Sequence, residues 1–360
     1  MTSIIELARP EVRALKAYVP ANYAEGAVRL NANESPLRSD GDTSPDGMHR
    51  YPEARPKALT QTLAAHFGVS DKNVFVTRGS SEAIDLLIRC FCRPNIDGIV
   101  ISPPTFGMYS VYANLQGAAV RSVPLVEERG FTLPADAIVD SWLGTDRLVF
   151  VTSPNNPTGN AQPVSEIARL AAAISGRGIV VVDGAYAEFA NLDAMMSLLE
   201  HPNIVMLRTM SKAYGLAGAR CGAALGPAEL IELLAKTMPP YAVPTPSSDA
   251  ALAVLAEEAV ASMPARLEWI VAERKRLAAA LEDMDLVEQV YPSDANFLLV
   301  RFREPQLVLE AAAQSGLLLR DFSTAPLTHN CLRISVGAGA DNERLIETLQ
   351  SLDVRSRGIA

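Results

Sequence analysis

Between Val74 and Leu225 the chain alternates short apolar runs with longer stretches of helical spacing. The runs are Val74 to Thr77, Ile99 to Ser102, Ala119 to Val123, Leu148 to Thr152, Ile179 to Asp183, Ile204 to Leu207 and Cys221 to Leu225. Apolar runs this short, bounded by turn formers and rich in β-branched residues, read as strands covered on both faces. Strand and helix in alternation leave few solutions, and the expected class is α/β: a mostly parallel seven-stranded sheet sandwiched by helices. Chemistry in such a sheet gathers beyond the carboxyl ends of the strands, so the residues just after each run carry the functional signal.

At 360 residues the chain has room for a second, smaller lobe. Four prolines between Met238 and Pro246 break the periodicity there. This places a large domain at 41–245, a smaller α+β domain at 246–360, and an N-terminal arm with part of the small domain at 1–40. Net charge is −9, from 32 basic and 41 acidic residues, so no basic field draws the chain to nucleic acid, and local arginines must meet any anion. The first ten residues lack a leader pattern and no apolar run approaches membrane-spanning length, so a cytoplasmic protein without membrane contact is expected. Cys90, Cys92, Cys221 and Cys331 lack Cys-x-x-Cys spacing and read as reduced core thiols; with four scattered histidines, no metal site is expected.

The loops are specific. Gly79-Ser80-Ser81 opens a helix whose free N–H groups suit a phosphate, although many helices begin with a serine cap. Pro103 to Tyr109 delivers Phe106 and Tyr109 to the same rim, either to stack on a flat ring or to pack in the core. Ser153 to Gly159 is a rigid turn carrying two amides. Asp183 ends an apolar strand with Tyr186 three residues later; a buried carboxylate there needs a cation such as a protonated pyridine, or else it caps the next helix. In Ser211 to Arg220, Lys212 lies among small and apolar neighbours near another cation, which favours a neutral, nucleophilic amine, and Arg220 offers a fork for phosphate. Arg320 and Arg333 stand among apolar residues and suggest anion binding, with a structural ion pair as the rival.

In this order the pieces resemble the aspartate-aminotransferase fold of pyridoxal-phosphate enzymes, and within it the histidinol-phosphate aminotransferase family. The likeness rests on Asn31-Ala32-Asn33-Glu34, Arg50-Tyr51-Pro52-Glu53, Pro103 to Val111, Ser153 to Gly159, Ser211 to Gly222 and Leu332 to Gly337. It implies pyridoxal phosphate held covalently by Lys212, with Asp183 on its pyridinium nitrogen, Asn156 and Tyr186 on its phenolic oxygen and Phe106 stacked on the ring. Its phosphate would lie on Ser80, Ser81, Ser211 and Arg220, joined by Tyr51 from the neighbouring subunit of a homodimer with shared active sites. The catalytic set would be Lys212, Asp183 and Tyr186, and substrate anions would meet Arg333 and Arg320 with Tyr18 nearby. The implied reaction moves an amino group from L-histidinol phosphate to 2-oxoglutarate in histidine biosynthesis. An aromatic amino-acid aminotransferase or a threonine-phosphate decarboxylase would share almost every motif. Gly184 departs from the glutamate usual after the aspartate. A dinucleotide-binding reading has only Gly337 to Asn342 to offer, without the third glycine.

Overall fold

The computed structural model describes residues 3–21, 26–45, 47–190 and 192–357. The seven expected strands are present: β1 Val74–Thr77, β2 Gly98–Ile101, β3 Ala119–Ser122, β4 Asp146–Thr152, β5 Ile179–Asp183, β6 Ile204–Thr209 and β7 Gly222–Leu225. They form one sheet in the order β1-β7-β6-β5-β4-β2-β3. Strands β2 to β6 run parallel, while β7 lies antiparallel between β1 and β6. That reversal sets the site: the carboxyl ends of β1 and β6 meet the amino end of β7, with Gly222 opposite both Thr77 and Thr209.

Side chains alternate across the strands and feed two cores. Val149, Val151, Val180, Val182 and Met206 join Leu59, Leu63, Ile167 and Leu170 on one face. Phe150, Val181, Val205 and Leu207 join Ile84, Leu87, Ile88 and Phe91 on the other. Those last four side chains recur at i, i+3, i+4 and i+7 along the helix Ser80–Phe91, are fully buried, and contribute roughly 1.5–3 kcal/mol each. Ile4, Ala8 and Val12 also lie in this second core, so residues 3–14 pack on the large sheet, whereas the sequence placed 1–40 partly with the small domain.

A second sheet follows, fully antiparallel in the order β10-β11-β9-β8: β8 Val287–Val290, β9 Phe297–Phe302, β10 Arg320–Asp321 and β11 Cys331–Ser335. One face, with Leu298, Val300, Leu332 and Ile334, is covered by Leu277, Leu281, Val308, Leu345 and Leu349 from three helices. The other, with Phe297, Leu299 and Cys331, packs into the core of the large sheet. Arg333 alternates with Leu332 and Ile334, so it shares the face of Cys331 and points toward the large sheet. The run Leu317 to Leu319 is not a strand, and Leu318 is 93% exposed. Among the described residues from 26 to 56 there is neither helix nor strand.

Candidate active site

Every loop singled out in the sequence opens onto the rim defined by the β7 reversal. At one end, Gly79 (φ 77°) leads into the helix Ser80–Phe91, whose first turn has no side-chain cap. The Arg220 guanidinium lies against this turn: a Cβ on Gly79 would stand 2.8 Å from its Nη2. Arg220 Nη1 donates to Ser211 Oγ at 3.4 Å, and Thr209 Oγ1 donates to the same oxygen at 3.0 Å. Gly222 is required for close approach, because a Cβ there would lie 2.8 Å from Ser80 N. Uncapped N–H groups, a hydroxyl and a guanidinium thus converge on one small cradle, the donor set that a phosphate takes.

Asp183 stands in the middle, at the end of β5. Burial raises its pKa, opposed by hydrogen bonds from Tyr109 and the Ala185 N–H and by the charges of Arg208 and Lys212. No ion pair reaches its carboxylate among the described residues. The Tyr109 hydroxyl donates to Asp183 Oδ2 at 2.8 Å and pairs with Thr152 Oγ1 at 2.7 Å. Tyr109 is fully buried and stacked on Phe150 at 4.6 Å between centroids. The sequence left this tyrosine as one of two candidates for ring stacking; the structure takes it into the core as the aspartate's partner and leaves Phe106 half-buried on the rim, edge-on to it at 5.6 Å. A phenol in a buried position needs a hydrogen-bond partner, and that was the available signal.

Lys212 Nζ lies 5.6 Å from the centroid of the Tyr186 ring. Desolvation lowers the lysine's pKa, Arg333 and Arg220 lower it further, and Asp183 opposes them. The Tyr186 hydroxyl is pushed up to about 12, chiefly by burial. Arg333 donates through Nη1 to the carboxamide oxygen of Asn156, and its guanidinium lies over the rings of Phe297 and Phe322 at 5.3 and 5.6 Å. Its buried Nε has no partner among the described residues. Arg320 pairs directly opposite Arg333 in the β10–β11 ladder. Two like charges face each other, and no carboxylate lies within ion-pair distance of either among the described residues. The rival reading of a structural ion pair therefore does not hold.

Two other expected residues stand apart. Tyr51, 51% exposed, stacks on Tyr241 at 4.7 Å, and Tyr18 is 69% exposed in the segment leading to Ala21, whose N–H donates to the Tyr241 hydroxyl. Gly184 has a local cause that the sequence did not reveal. A Cβ there would meet Arg208 Nη1 at 2.5 Å. Arg208 is wholly buried, donates to the Gly184 carbonyl and is paired with Glu188. Burial and the nearby Glu188 charge push the Tyr214 hydroxyl well above its ordinary pKa, and that hydroxyl pairs with His66 Nε2 at 2.7 Å. The space beside residue 184 is filled by this network, which closes behind the turn after Lys212.

The uncapped cradle, the buried strand-end aspartate and the lysine between them fit the phosphate, ring nitrogen and aldehyde ends of pyridoxal phosphate. The fold and site define a pyridoxal-phosphate-dependent transaminase of the α/β type with a mostly parallel sheet. The family model for aminotransferase class I and II matches residues 25–352, and the chain belongs to that family. It is 41% identical to the histidinol-phosphate aminotransferase of Stenotrophomonas maltophilia, over 97% of each chain. It is 42% identical to that of Xanthomonas campestris pv. campestris, again over 97% of each. The crystal structure of the histidinol-phosphate aminotransferase from Sinorhizobium meliloti in complex with pyridoxal-5'-phosphate matches at TM-score 0.75 and 26% identity, over 84% of each chain. The L-threonine-O-3-phosphate decarboxylase of Porphyromonas gingivalis shares the fold, at TM-score 0.71 and 23% identity, over 85% of this chain and 91% of that one. Among the described residues no helix is long and apolar enough to cross a membrane, and no cluster of metal-ligating side chains occurs.

Proposed function

We infer that the protein transfers the amino group of L-histidinol phosphate to 2-oxoglutarate, giving imidazole acetol phosphate and L-glutamate. The carrying observation is the Asp183 carboxylate, buried at the strand end, within reach of the Lys212 charge and, among the described residues, without an ion pair of its own. Pyridoxal phosphate, when bound, supplies an electron sink for the pair left on a substrate carbon that loses its proton. Asp183 would stabilise a positive charge at the ring nitrogen. Lys212, the covalent anchor, is held partly toward its neutral form and carries the proton between the two reacting carbons. Asn156 has its carboxamide oxygen committed to Arg333, which leaves its NH2 group to donate, and it and the Tyr186 hydroxyl would donate to the phenolic oxygen of the cofactor. Phe106 would cover the ring, while Ser80, Ser81, Ser211 and Arg220 would hold the phosphate.

Arg333 and Arg320 would take the substrate anion, carboxylate or phosphate, which also relieves their mutual repulsion. Arg333→Lys, which loses the fork, should lower kcat/KM for both donor and acceptor by about 10- to 100-fold. Arg320→Ala should cost histidinol phosphate more than 2-oxoglutarate, because the doubly charged ester leans on the second cation. Steady-state kinetics with each substrate varied in turn decides this, and an equal loss on both would remove the division of labour.

The working unit is read as a homodimer with shared active sites. Tyr18, Val19, Val28, Leu30, Leu37, Met48 and Tyr51 leave apolar surface exposed along a segment whose described residues form neither helix nor strand, a surface a second copy would cover. If Tyr51 completes the partner's site, co-expressed Lys212→Ala and Tyr51→Ala chains should regain roughly a quarter of wild-type activity, since half the dimers are mixed and half their sites intact. A purified heterodimer with only parental activity would exclude sharing. The four cysteines are unpaired and buried, which suits the cytoplasm.

A further inference from the structure

Apart from Tyr51, the motifs Asn31 to Glu34 and Arg50 to Glu53 have no part in the chemistry described so far, yet the fold brings them together. The Glu34 side chain is only 2% exposed in a segment that is otherwise mostly open. It accepts the Tyr51 N–H at 2.7 Å and Arg50 Nη1 at 2.9 Å, and it is paired with Arg29. Arg29 in turn donates through both Nη1 and Nη2 to the Tyr51 carbonyl, each at 3.2 Å. The N–H and C=O of one residue are therefore gripped from two sides by a single charged pair. Pro52 follows and restricts Tyr51 to extended backbone. One face of the Tyr51 ring lies on Tyr241 at an interplanar angle of 22°, while half the residue stays exposed. Glu34 remains ionised: burial pushes its carboxyl up, but the Tyr51 N–H, Arg50 and Arg29 outweigh it and hold it below its ordinary value.

No helix or sheet ladder fixes this part of the chain, so its order must come from side chains. A hydrogen bond to phosphate gains most when its donor is already oriented. We propose that Glu34, through Arg29 and Arg50, is the positioning residue for Tyr51, holding its backbone so that the phenol is presented pre-oriented to the cofactor phosphate in the partner subunit. The proposal rests on the reading that Tyr51 serves the neighbouring site.

The test uses the full-length apo dimer and two probes, pyridoxal phosphate and pyridoxal, which lacks the phosphate. Affinity is read by absorbance titration for wild type, Glu34→Gln, Tyr51→Phe and the double variant. Glu34→Gln keeps the shape and an acceptor for the Tyr51 N–H but lacks the charge that holds the two arginines. It and Tyr51→Phe should each weaken pyridoxal phosphate by about tenfold and leave pyridoxal unchanged. The double variant should be no weaker than Tyr51→Phe alone, since both changes remove one interaction. Arg29→Lys, which attacks the grip from the carbonyl side, should repeat the pattern and serves as the second arm if Glu34→Gln does not yield a folded dimer. Equal weakening of both probes by Glu34→Gln, or full additivity in the double variant, overturns the proposal while a phosphate-selective effect of Tyr51→Phe keeps the Tyr51 reading. If Tyr51→Phe binds both probes like wild type, that reading fails and takes the proposal with it.

Discussion

Lys212→Ala is expected to abolish transamination, lowering turnover by about 10⁴-fold, because one side chain supplies both the covalent anchor and the proton carrier. The setting explains the choice of this lysine. Desolvation and the charges of Arg333 and Arg220 outweigh Asp183, so the neutral amine is available at lower pH than for an ordinary lysine. The sign follows directly: protonation blocks attack, so capture of pyridoxal phosphate by the apo protein should speed up as pH rises and level off below the ordinary lysine pKa. Borohydride reduction of the loaded wild-type protein, followed by peptide mapping, should label Lys212. Label on another lysine, or a Lys212→Ala chain that still turns over, would refute the assignment.

Asp183→Asn is expected to keep the fold and some cofactor yet lose about 10²–10³-fold in turnover, roughly 2.7–4 kcal/mol, the scale of a preorganised charge acting on a developing one. The isosteric amide retains an acceptor for Tyr109, so the melting temperature should stay close to wild type. What is lost is the negative charge opposite the ring nitrogen. Stopped-flow single turnover isolates the chemical step from substrate binding. A well-folded variant at near wild-type rate would mean that this carboxylate only caps the Ala185 N–H, which it accepts at 3.2 Å.

The strands were legible because a parallel sheet buried on both faces leaves continuous apolar runs, and turn formers mark their ends. Val74–Thr77 and Ile179–Asp183 lie where the runs place them, and the others differ by a few residues at their ends. Lys212, Asp183, Arg220 and Arg333 were legible as candidates because polar residues stand out against small or apolar flanks, and Asn156 because it sits in a rigid proline turn with two amides. The relations between them were not. The Tyr109–Asp183 bond joins positions 74 residues apart, and the packing of Arg208 against Gly184 joins positions 24 apart. No periodicity encodes such pairs. Arg320 lies in a strand of only two residues, Arg320 and Asp321, paired to β11, a length too short for any periodicity to mark. Glu34 was readable only as part of a turn-rich stretch, since its role depends on Arg29 five residues before it and on Arg50 and the Tyr51 N–H, which the chain returns to it 16 and 17 residues later.

The central claim is most directly tested by offering the pyridoxal-phosphate-loaded protein L-histidinol phosphate and phenylalanine as competing donors with 2-oxoglutarate, and resolving the products. L-glutamate should match the sum of imidazole acetol phosphate and phenylpyruvate, with imidazole acetol phosphate the main keto product and phenylpyruvate a minor one. Phenylpyruvate as the main product would make the protein an aromatic aminotransferase. Carbon dioxide released from threonine phosphate, with no glutamate formed from either donor, would contradict transamination altogether.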